Sequence, residues 1–277
     1  MTISAKVICD SIGDKYSARL TTMQLRYPRF IHAEFMTHRV FSRNAASSRA
    51  IPAKTFRKNV MTDPAIPIHW GKNKPGMQAR EELSPVKKFV CRTLWLMLMY
   101  GAVFTNWLLE KAGLHKQVAN RILEPWMHIE VVVTSTDWAN FFALRNHPDA
   151  QPEIQELARK MQEAQNTSVP SVLKPDEWHL PYILDEEKRV IPQNLLSKVS
   201  AARCARVSYL KHDGKKASVP EDLDLFEKLV GGNPKHASPT EHQARLPYAL
   251  EAIPLSNLRW WHQFRKMIPG ENIRDVA

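Results

Sequence analysis

The sequence predicts an α+β fold built as a single domain over residues 1–277. Several segments place apolar residues at helical spacing, whereas only a few are rich in β-branched residues. No internal repeat or low-complexity tract divides the chain, and 277 residues can bury a substantial core. One compact domain with more helices than strands is therefore expected.

The first predicted strand covers residues 19–30, RLTTMQLRYPRF, and ends near Pro28, because this segment alternates and contains β-formers. A short helix is expected next in residues 30–41, FIHAEFMTHRVF, where apolar residues recur at helical spacing. Residues 51–85 are rich in Pro, Lys and Asn, and we interpret them as a long surface excursion from the domain.

A pair of helices is predicted at residues 83–109 and 115–123, with the break at Gly113. Within the first helix, residues 89–109 are long enough to cross a bilayer. Polar interruptions such as Arg92, together with charged residues on both flanks, favour a buried core helix over a membrane span.

The second half of the chain predicts one further strand and several helices. Residues 130–138 contain a β-branched run typical of a strand, and residues 150–166 form an amphipathic pattern with Pro152 in the first turn. Residues 169–182 are interpreted as a proline-punctuated loop. The remaining helical patterns cover residues 195–209 and 220–231, the second ending at Gly231–Gly232.

Composition narrows the class of protein. Hydrophobic content of 44% and charged content of 24% are those of a soluble globular protein. The net charge of +11 indicates anionic partners, which include nucleic acid, a membrane surface and phosphorylated ligands. Cys9, Cys91 and Cys204 form no CxxC pair, so neither a disulfide framework nor a zinc site is indicated. With no cleavable signal pattern, a cytoplasmic enzyme or binding protein is expected.

Residues 37–49, THRVFSRNAASSR, crowd hydroxyls, an amide and three arginines into one short segment. Such groups at a helix end can bind an anion, because hydroxyls and backbone N–H groups contact its oxygens and guanidinium adds charge. The alternative is a helix end whose polar side chains only cap backbone groups, and spacing alone favours that alternative.

Three other segments have two interpretations each. Arg121 and Arg145 lie beside aromatic and amide residues, either as functional groups or as surface arginines with buried stems. Residues 235–242, KHASPTEH, can be a metal site or a helix start with a capping box, and the spacing favours the cap. Residues 257–267, NLRWWHQFRKM, can be a single-stranded nucleic-acid surface, but an amphipathic helix with Trp260, Trp261 and Phe264 inward is favoured.

Taken together, these segments resemble the flavin-dependent thymidylate synthase family. HRVFSRNAASSR has the form of the family signature H-R-x-x-S-x-N-x-x-S-x-R. Four further segments are similar to family motifs: ANRILEP (119–125), NFFALR (140–145) followed by AQPEI (150–154), ARVSY (205–209) and KHASPTEH (235–242). The last two precede the signature in the family but follow it here, so the resemblance implies a circularly permuted chain. The C-terminal RWWHQFRKMIPGE has no clear counterpart.

The resemblance implies a mixed sheet with flanking helices and a homotetramer whose active sites are shared between subunits. It implies reductive methylation of dUMP to dTMP, with FAD, NADPH and 5,10-methylenetetrahydrofolate as cofactors. Every one of these ligands is anionic, which accounts for the positive net charge without nucleic acid. The alternatives are modification of another pyrimidine deoxynucleotide, such as hydroxymethylation, and a basic nucleic-acid-binding protein without flavin chemistry.

The resemblance also implies roles for individual residues. Arg145, which contacts the uracil ring, and Ser47 are the catalytic residues that it implies, and Arg121 is expected to come from a neighbouring subunit. The implied substrate-binding residues are Glu34, Ser47, Ser48, Arg49, Arg121 and Arg145. The implied cofactor-binding residues are His38, Arg39, Asn140, Ser238 and His236, the last on the folate side.

Several positions depart from the family pattern, mostly on the flavin side. Thr37, Ala45 and Ala50 stand where the family usually has Arg, Glu and Tyr. Thr134 and Thr136 stand where an Asn and an Arg bind flavin, and Lys235 replaces a turn glycine. Either other segments supply these contacts, or the cofactor geometry and the substrate differ.

Overall fold

The computed structural model describes residues 3–13, 18–208, 217–249 and 251–271 and contains two sheets. The larger sheet has the strand order β3–β4–β2–β1–β5, and the smaller has the order β6–β7–β8. The strands are β1 (Ser4–Gly13), β2 (Leu20–Pro28), β3 (Ser42–Ala45), β4 (His128–Ser135), β5 (Ser171–Leu173), β6 (Trp178–His179), β7 (Ala244–Arg245) and β8 (His262–Gln263). All pairs are antiparallel except β1 with β5, so the sheet is mixed, as predicted.

Nine α-helices surround the sheets within the described residues. They are α1 (His32–Phe35), α2 (Ala53–Thr62), α3 (Pro85–Lys111), α4 (Lys116–Ala119), α5 (Ala139–Arg145), α6 (Pro152–Thr167), α7 (Asp185–Val190), α8 (Gln193–Ala205) and α9 (Val219–Val230). Short 3₁₀ helices cover Arg29–Ile31, Asn120–Trp126, Arg206–Ser208, Ser238–Glu241 and Phe264–Met267. The mixed α+β architecture is therefore confirmed.

The main core lies between one face of the large sheet and α6. Alternate residues of β2 and β4 point to this face, since side chains of a strand alternate between its two sides. The largest contributors are buried completely or nearly so: Met23, Leu25, Tyr27, Val131, Val133, Ile154, Leu157 and Met161. The predicted strands at 19–30 and 130–138 and the predicted helix at 150–166 are thus confirmed as the centre of the fold.

Two predictions about the middle of the chain need correction. Residues 51–85 are not all a surface excursion, because α2 forms there and buries Phe56 and Val60 against α3 and Trp126. The helix at 83–109 is confirmed as α3, yet it is not a buried core helix, since only Met99 and Asn106 are buried along it. No helix among the residues that the structure describes is long and apolar enough to span a membrane.

The polar segment at residues 37–49 is not a helix end. After α1 the chain turns, and Ser42–Ala45 then forms the edge strand β3. Its backbone pairs with β4, with Ser42 beside Thr134 and Ala45 beside Val131. The short helix predicted at 30–41 is confirmed only up to Phe35.

The second half of the chain also differs from prediction in several places. The loop at 169–182 contains the short strands β5 and β6. Ser238–Glu241 is a 3₁₀ helix without a side-chain cap, so the predicted capping box is wrong. Residues 257–267 contain β8 and a 3₁₀ turn instead of an amphipathic helix, with Trp261 buried and Trp260 exposed. The helices at 195–209 and 220–231 are confirmed as α8 and α9, although Tyr209 lies outside the described residues.

Candidate functional site

Arg145 is the centre of a cluster that joins α1, α5 and the turn between α1 and β3. Its Nη1 atom lies 2.5 Å from Oε1 of Glu34, and its Nε donates to Nε2 of His38 at 3.0 Å. The sequence placed Glu34 and His38 in one predicted helix and Arg145 in a distant segment, and the fold brings Arg145 into direct contact with both. Arg145 is therefore a paired functional candidate and not an isolated surface arginine.

His38 is neutral in this cluster. Burial, together with the charges of Arg145 and Arg43, lowers the pKa of the imidazole below its ordinary value. Because Nε2 accepts the hydrogen bond from Arg145, the ring proton of neutral His38 is on Nδ1. The ring packs between Phe41 and Phe141, which fixes its orientation.

A cavity of about 1080 Å³ adjoins the Glu34–Arg145 pair. Its walls include the segment around Ala79 and Arg80 and the start of α6 near Gln151. The side chains of Glu34 and Arg145 are 31% and 22% exposed, so their charged ends face the cavity instead of the core. The cavity can admit a planar polar group next to a guanidinium.

A second polar cluster lies around Glu124. Its carboxylate pairs with Arg29 at 3.2 Å and with Arg121 at 2.8 Å, and it accepts a hydrogen bond from Oγ of buried Ser48 at 3.5 Å. Asn120 donates to the backbone carbonyl of Ser48 at 2.9 Å, which fastens this loop to the 3₁₀ helix that carries Arg121.

Ser47 and Arg49 complete the second cluster at the surface. The Ser47 hydroxyl accepts a hydrogen bond from the backbone N–H of Arg49 at 3.3 Å. The Arg49 side chain is exposed and makes no hydrogen bond or ion pair with the described residues. An exposed cation and a partly exposed hydroxyl thus lie on the loop that Asn120 joins to the helix of Arg121, and such groups can bind a phosphate.

The two clusters lie at opposite ends of β3. His38 precedes this strand and Ser47 follows it, and a four-residue strand spans roughly 10–13 Å. The predicted substrate-binding residues therefore divide into two groups, with Glu34 and Arg145 in one and Ser47, Ser48, Arg49 and Arg121 in the other.

The remaining predicted cofactor residues are exposed. Arg39, Asn140, His236 and Ser238 make no side-chain hydrogen bond within the described ranges. Their groups are free for a ligand, although contacts within the chain do not draw them together. Arg43 was not singled out by sequence reasoning, yet its Nη1 donates to the carbonyls of Phe35, Met36 and His38 at 3.0–3.4 Å. Arg43 therefore holds the turn that positions His38. Its partners are backbone carbonyls, which every residue has, so the sequence gives no signal for this role.

The two C-terminal motifs pack against the N-terminal ones. Gln263 donates to Oγ of Ser42 at 3.2 Å and to the carbonyl of Glu241 at 2.9 Å, which joins residues 235–242 to β3. In the ARVSY segment, the 3₁₀ helix Arg206–Ser208 packs against β3 and β4, and Arg206 pairs with buried Asp222 at 2.8 Å. Both C-terminal motifs thus lie next to β3, which is compatible with the circular permutation that the resemblance implies.

A buried chain of hydrogen bonds runs across the face of the sheet opposite α6. It links Ser11, His179, Thr22, Thr134 and His242 through successive distances of 2.8, 2.8, 2.7 and 2.8 Å. Thr134 is therefore occupied on both sides and completely buried, so it does not substitute for a flavin-binding side chain. Thr136 is engaged as well, because it donates to Asp137 and accepts from the N–H of Arg259.

The two buried histidines of this chain predict a loss of stability in mild acid. Burial lowers the pKa of both His179 and His242 to about 3, from an ordinary value of 6.5. As pH falls below about 6.5 the unfolded chain takes up these protons and the folded chain does not, so stability decreases until the pH approaches 3. With about 1.4 kcal/mol per pH unit for each group, these two histidines alone are expected to lower the free energy of unfolding by roughly 4 kcal/mol between about pH 7 and about pH 5.

Urea unfolding at the two pH values measures this effect. His242→Gln removes one titrating group and should weaken the pH dependence by about one proton, whereas His147→Gln, at an exposed position, should not change it. An unchanged dependence in His242→Gln would show that His242 titrates normally in the folded protein.

Comparison with known proteins identifies the family. The model of the family described as thymidylate synthase complementing protein matches residues 19–171, which is more than half of the chain. The chain therefore belongs to the family of flavin-dependent thymidylate synthases. The matched range includes both clusters around β3, and residues 205–209 and 235–242 lie beyond it. A search of proteins with curated functions found no match.

Two solved structures are similar to this one. The UMP/dUMP methylase PolB from Streptomyces cacaoi bound with 5-Br dUMP is 17% identical, with a TM-score of 0.47 over 59% of this chain and 89% of that chain. The same methylase bound with 5-Br UMP is 16% identical, with a TM-score of 0.45 over 59% of this chain and 88% of that chain.

Proposed function

We propose that this protein methylates dUMP to dTMP, with the methylene group of 5,10-methylenetetrahydrofolate, FAD as bound cofactor and NADPH as reductant. Pyrimidine nucleotides and flavin are the substrate and cofactor classes of the family to which the chain belongs. The observation that carries the proposal is the Glu34–Arg145–His38 cluster at the cavity.

Arg145 is proposed to contact the uracil ring. A guanidinium beside the ring carbonyls favours the ionised form of the base, because the fixed positive charge stabilises the negative charge that develops there. That charge increases the electron density at C5, which must attack the methylene carbon. Glu34 and neutral His38 hold the guanidinium in place by a charged and a neutral hydrogen bond, so the cation is oriented before substrate arrives.

Ser47, Arg49 and Arg121 are proposed to bind the phosphate, supported by Ser48. Arg49 is unpaired within the described residues, and Arg121 is half exposed, so both can reach an anion at small cost. Since the two clusters of one chain lie at opposite ends of β3, we propose that the enzyme is a homotetramer in which each nucleotide site combines residues of neighbouring copies. We also propose that the enzyme is cytoplasmic.

The implied cofactor-binding residues fit a flavin in part. Exposed Arg39, Asn140, His236 and Ser238 can donate hydrogen bonds to it, whereas Thr134 is already committed to Thr22 and His242. When bound, the flavin supplies the hydride that reduces the transferred one-carbon group to a methyl group. His38 would face it as a neutral imidazole, and Arg39 would add a positive charge beside it.

The experiment is a product assay on the purified full chain. Incubation with FAD, NADPH, dUMP and isotopically labelled methylenetetrahydrofolate is expected to give labelled dTMP by mass spectrometry, with bleaching of flavin absorbance on addition of NADPH. Parallel reactions with dCMP and UMP measure substrate choice. A labelled hydroxymethyl product, or a product from dCMP alone, would replace dTMP synthesis by the related modification, and failure to take up FAD would refute the proposal.

A further inference from the structure

The outward side of α3 carries an apolar row that stays about half exposed in the described part of the chain. The row continues for six positions with alternating spacings of four and three residues: Val90, Leu94, Met97, Gly101, Phe104 and Leu108. We call these six residues the α3 seam. Its five large side chains are 46–59% exposed.

The opposite side of α3 is fixed to the rest of the chain. Met99 is buried, and the buried amide of Asn106 accepts from Arg57 at 2.6 Å and donates to the carbonyl of Ala119 at 2.9 Å. Because these bonds set the rotation of the helix, α3 cannot turn to bury the seam within its own chain. The α3 seam therefore stays on the surface of a single copy.

The spacing of the seam indicates that its partner is another α-helix. A repeat of four and three residues averages 3.5, which keeps one row of side chains against a neighbouring helix along its whole length. Gly101 lies in the row with open space around it, since a Cβ there would meet no atom within 4 Å. A neighbouring helix can therefore approach closely at that point.

The exposed apolar area of α3 is as large as one side of a specific interface between proteins. Ten large apolar side chains on α3 are 42–74% exposed: Val86, Phe89, Val90, Leu94, Met97, Leu98, Tyr100, Phe104, Trp107 and Leu108. Together they present roughly 1000 Å², which exceeds the usual apolar patch of a monomer and is close to the roughly 800 Å² that each partner contributes to a standard interface. Lys87 and Lys111 occupy the next positions at the two ends and provide a polar rim.

We propose that the α3 seam pairs with the α3 seam of a second copy in antiparallel orientation, about a two-fold axis near Met99. The spacing of the seam is the same in both directions, so this arrangement places every seam residue against another one. Met97 then faces Gly101 of the second copy, and Leu94 faces Phe104. A parallel pair would instead oppose two glycines and two phenylalanines, which leaves a void at one level and crowding at another.

This proposal names a surface that the proposed function leaves open. Its test measures the mass of variants at the α3 seam and not activity, so variants of unchanged mass would overturn it while the proposed reaction and homotetramer stand. Light scattering or sedimentation of the full chain is expected to give a multimer. Leu94→Lys alone and Phe104→Glu alone should each halve the mass, because each buries a charge against an apolar side chain. Val169→Lys, at a position 89% exposed and away from α3, is the control and should not change the mass.

The double variant Leu94→Lys with Phe104→Glu tests the orientation. In an antiparallel pair each introduced lysine faces an introduced glutamate of the second copy, so the mass of the wild type should return. In a parallel pair like charges would meet and the double variant would stay dissociated. A wild-type protein that is monomeric in solution would overturn the proposal. So would a wild-type protein that binds phosphatidylglycerol vesicles as a monomer and rises with them in a flotation gradient. Single variants of unchanged mass would overturn it as well, and circular dichroism verifies folding of each variant.

Discussion

Arg145→Ala is expected to lower kcat/KM for dUMP by about 100-fold or more. The variant loses a positive charge that acts where negative charge develops on the ring, and removal of one such donor from an enclosed site typically costs about 100- to 1000-fold in rate. It also leaves the Glu34 carboxylate at the cavity without its partner, which repels an anionic nucleotide. Steady-state kinetics with dUMP, together with calorimetric binding of dUMP, measure the two consequences separately.

Arg189→Ala is the control for this experiment. Arg189 lies on α7, is exposed and does not line the cavity, so its loss should leave the kinetics almost unchanged. Arg145→Lys keeps the charge but not the two-pronged contact with Glu34 and His38, and an intermediate activity is expected. Full activity of Arg145→Ala would exclude Arg145 from the reaction.

Asp222→Ala is expected to destabilise the folded protein by about 3 kcal/mol or more. The Asp222 carboxylate is completely buried and pairs with Arg203 at 2.9 Å and with Arg206 at 2.8 Å. Its removal leaves two largely buried guanidinium groups with one charged partner fewer, and loss of one member of a buried ion pair costs about 3–5 kcal/mol. The free energy of unfolding in urea measures the effect.

Asp224→Ala provides the comparison on the same helix. Asp224 is 64% exposed and pairs only with Lys228, so its loss should cost less than about 0.5 kcal/mol. If the two alanine variants were equally stable, the Asp222 network would contribute nothing measurable, and Arg206 of the ARVSY motif would need another explanation.

The sequence predicted the elements that have a strong period of their own. The strands β2 and β4 and the helices α3 and α6 carry patterns that are independent of their neighbours. The two-residue strands β6, β7 and β8 exist only because they pair with one another. No local sequence pattern predicts such pairing. The helix α2 was missed for a similar reason: proline and polar residues around it concealed Phe56 and Val60, which α3 buries.

The candidate site was predicted in its members but not in its arrangement. The family resemblance implied Glu34, His38 and Arg145 as site residues, and the structure brings Arg145 into contact with the other two. The pairing of Arg145 with Glu34 joins residues 111 positions apart, which no local pattern reveals. The role of Arg43 could not be predicted either, because its partners are backbone carbonyls that form an acceptor row only after the turn has folded.

The buried chain of hydrogen bonds from Ser11 to His242 also affects how the protein is made. Ser11 leaves the ribosome early, whereas His242 follows 231 residues later, and Trp261, which donates to the carbonyl of Ala18, later still. At about 5–20 residues per second, the first strand waits roughly 10–50 s for the groups that cover it. Threonine hydroxyls on that face of the sheet, at positions 22 and 134, can bind water during the wait, whereas an apolar face would be exposed to aggregation. The polar lining of this layer is therefore expected to protect the nascent chain until residues 242–261 are made.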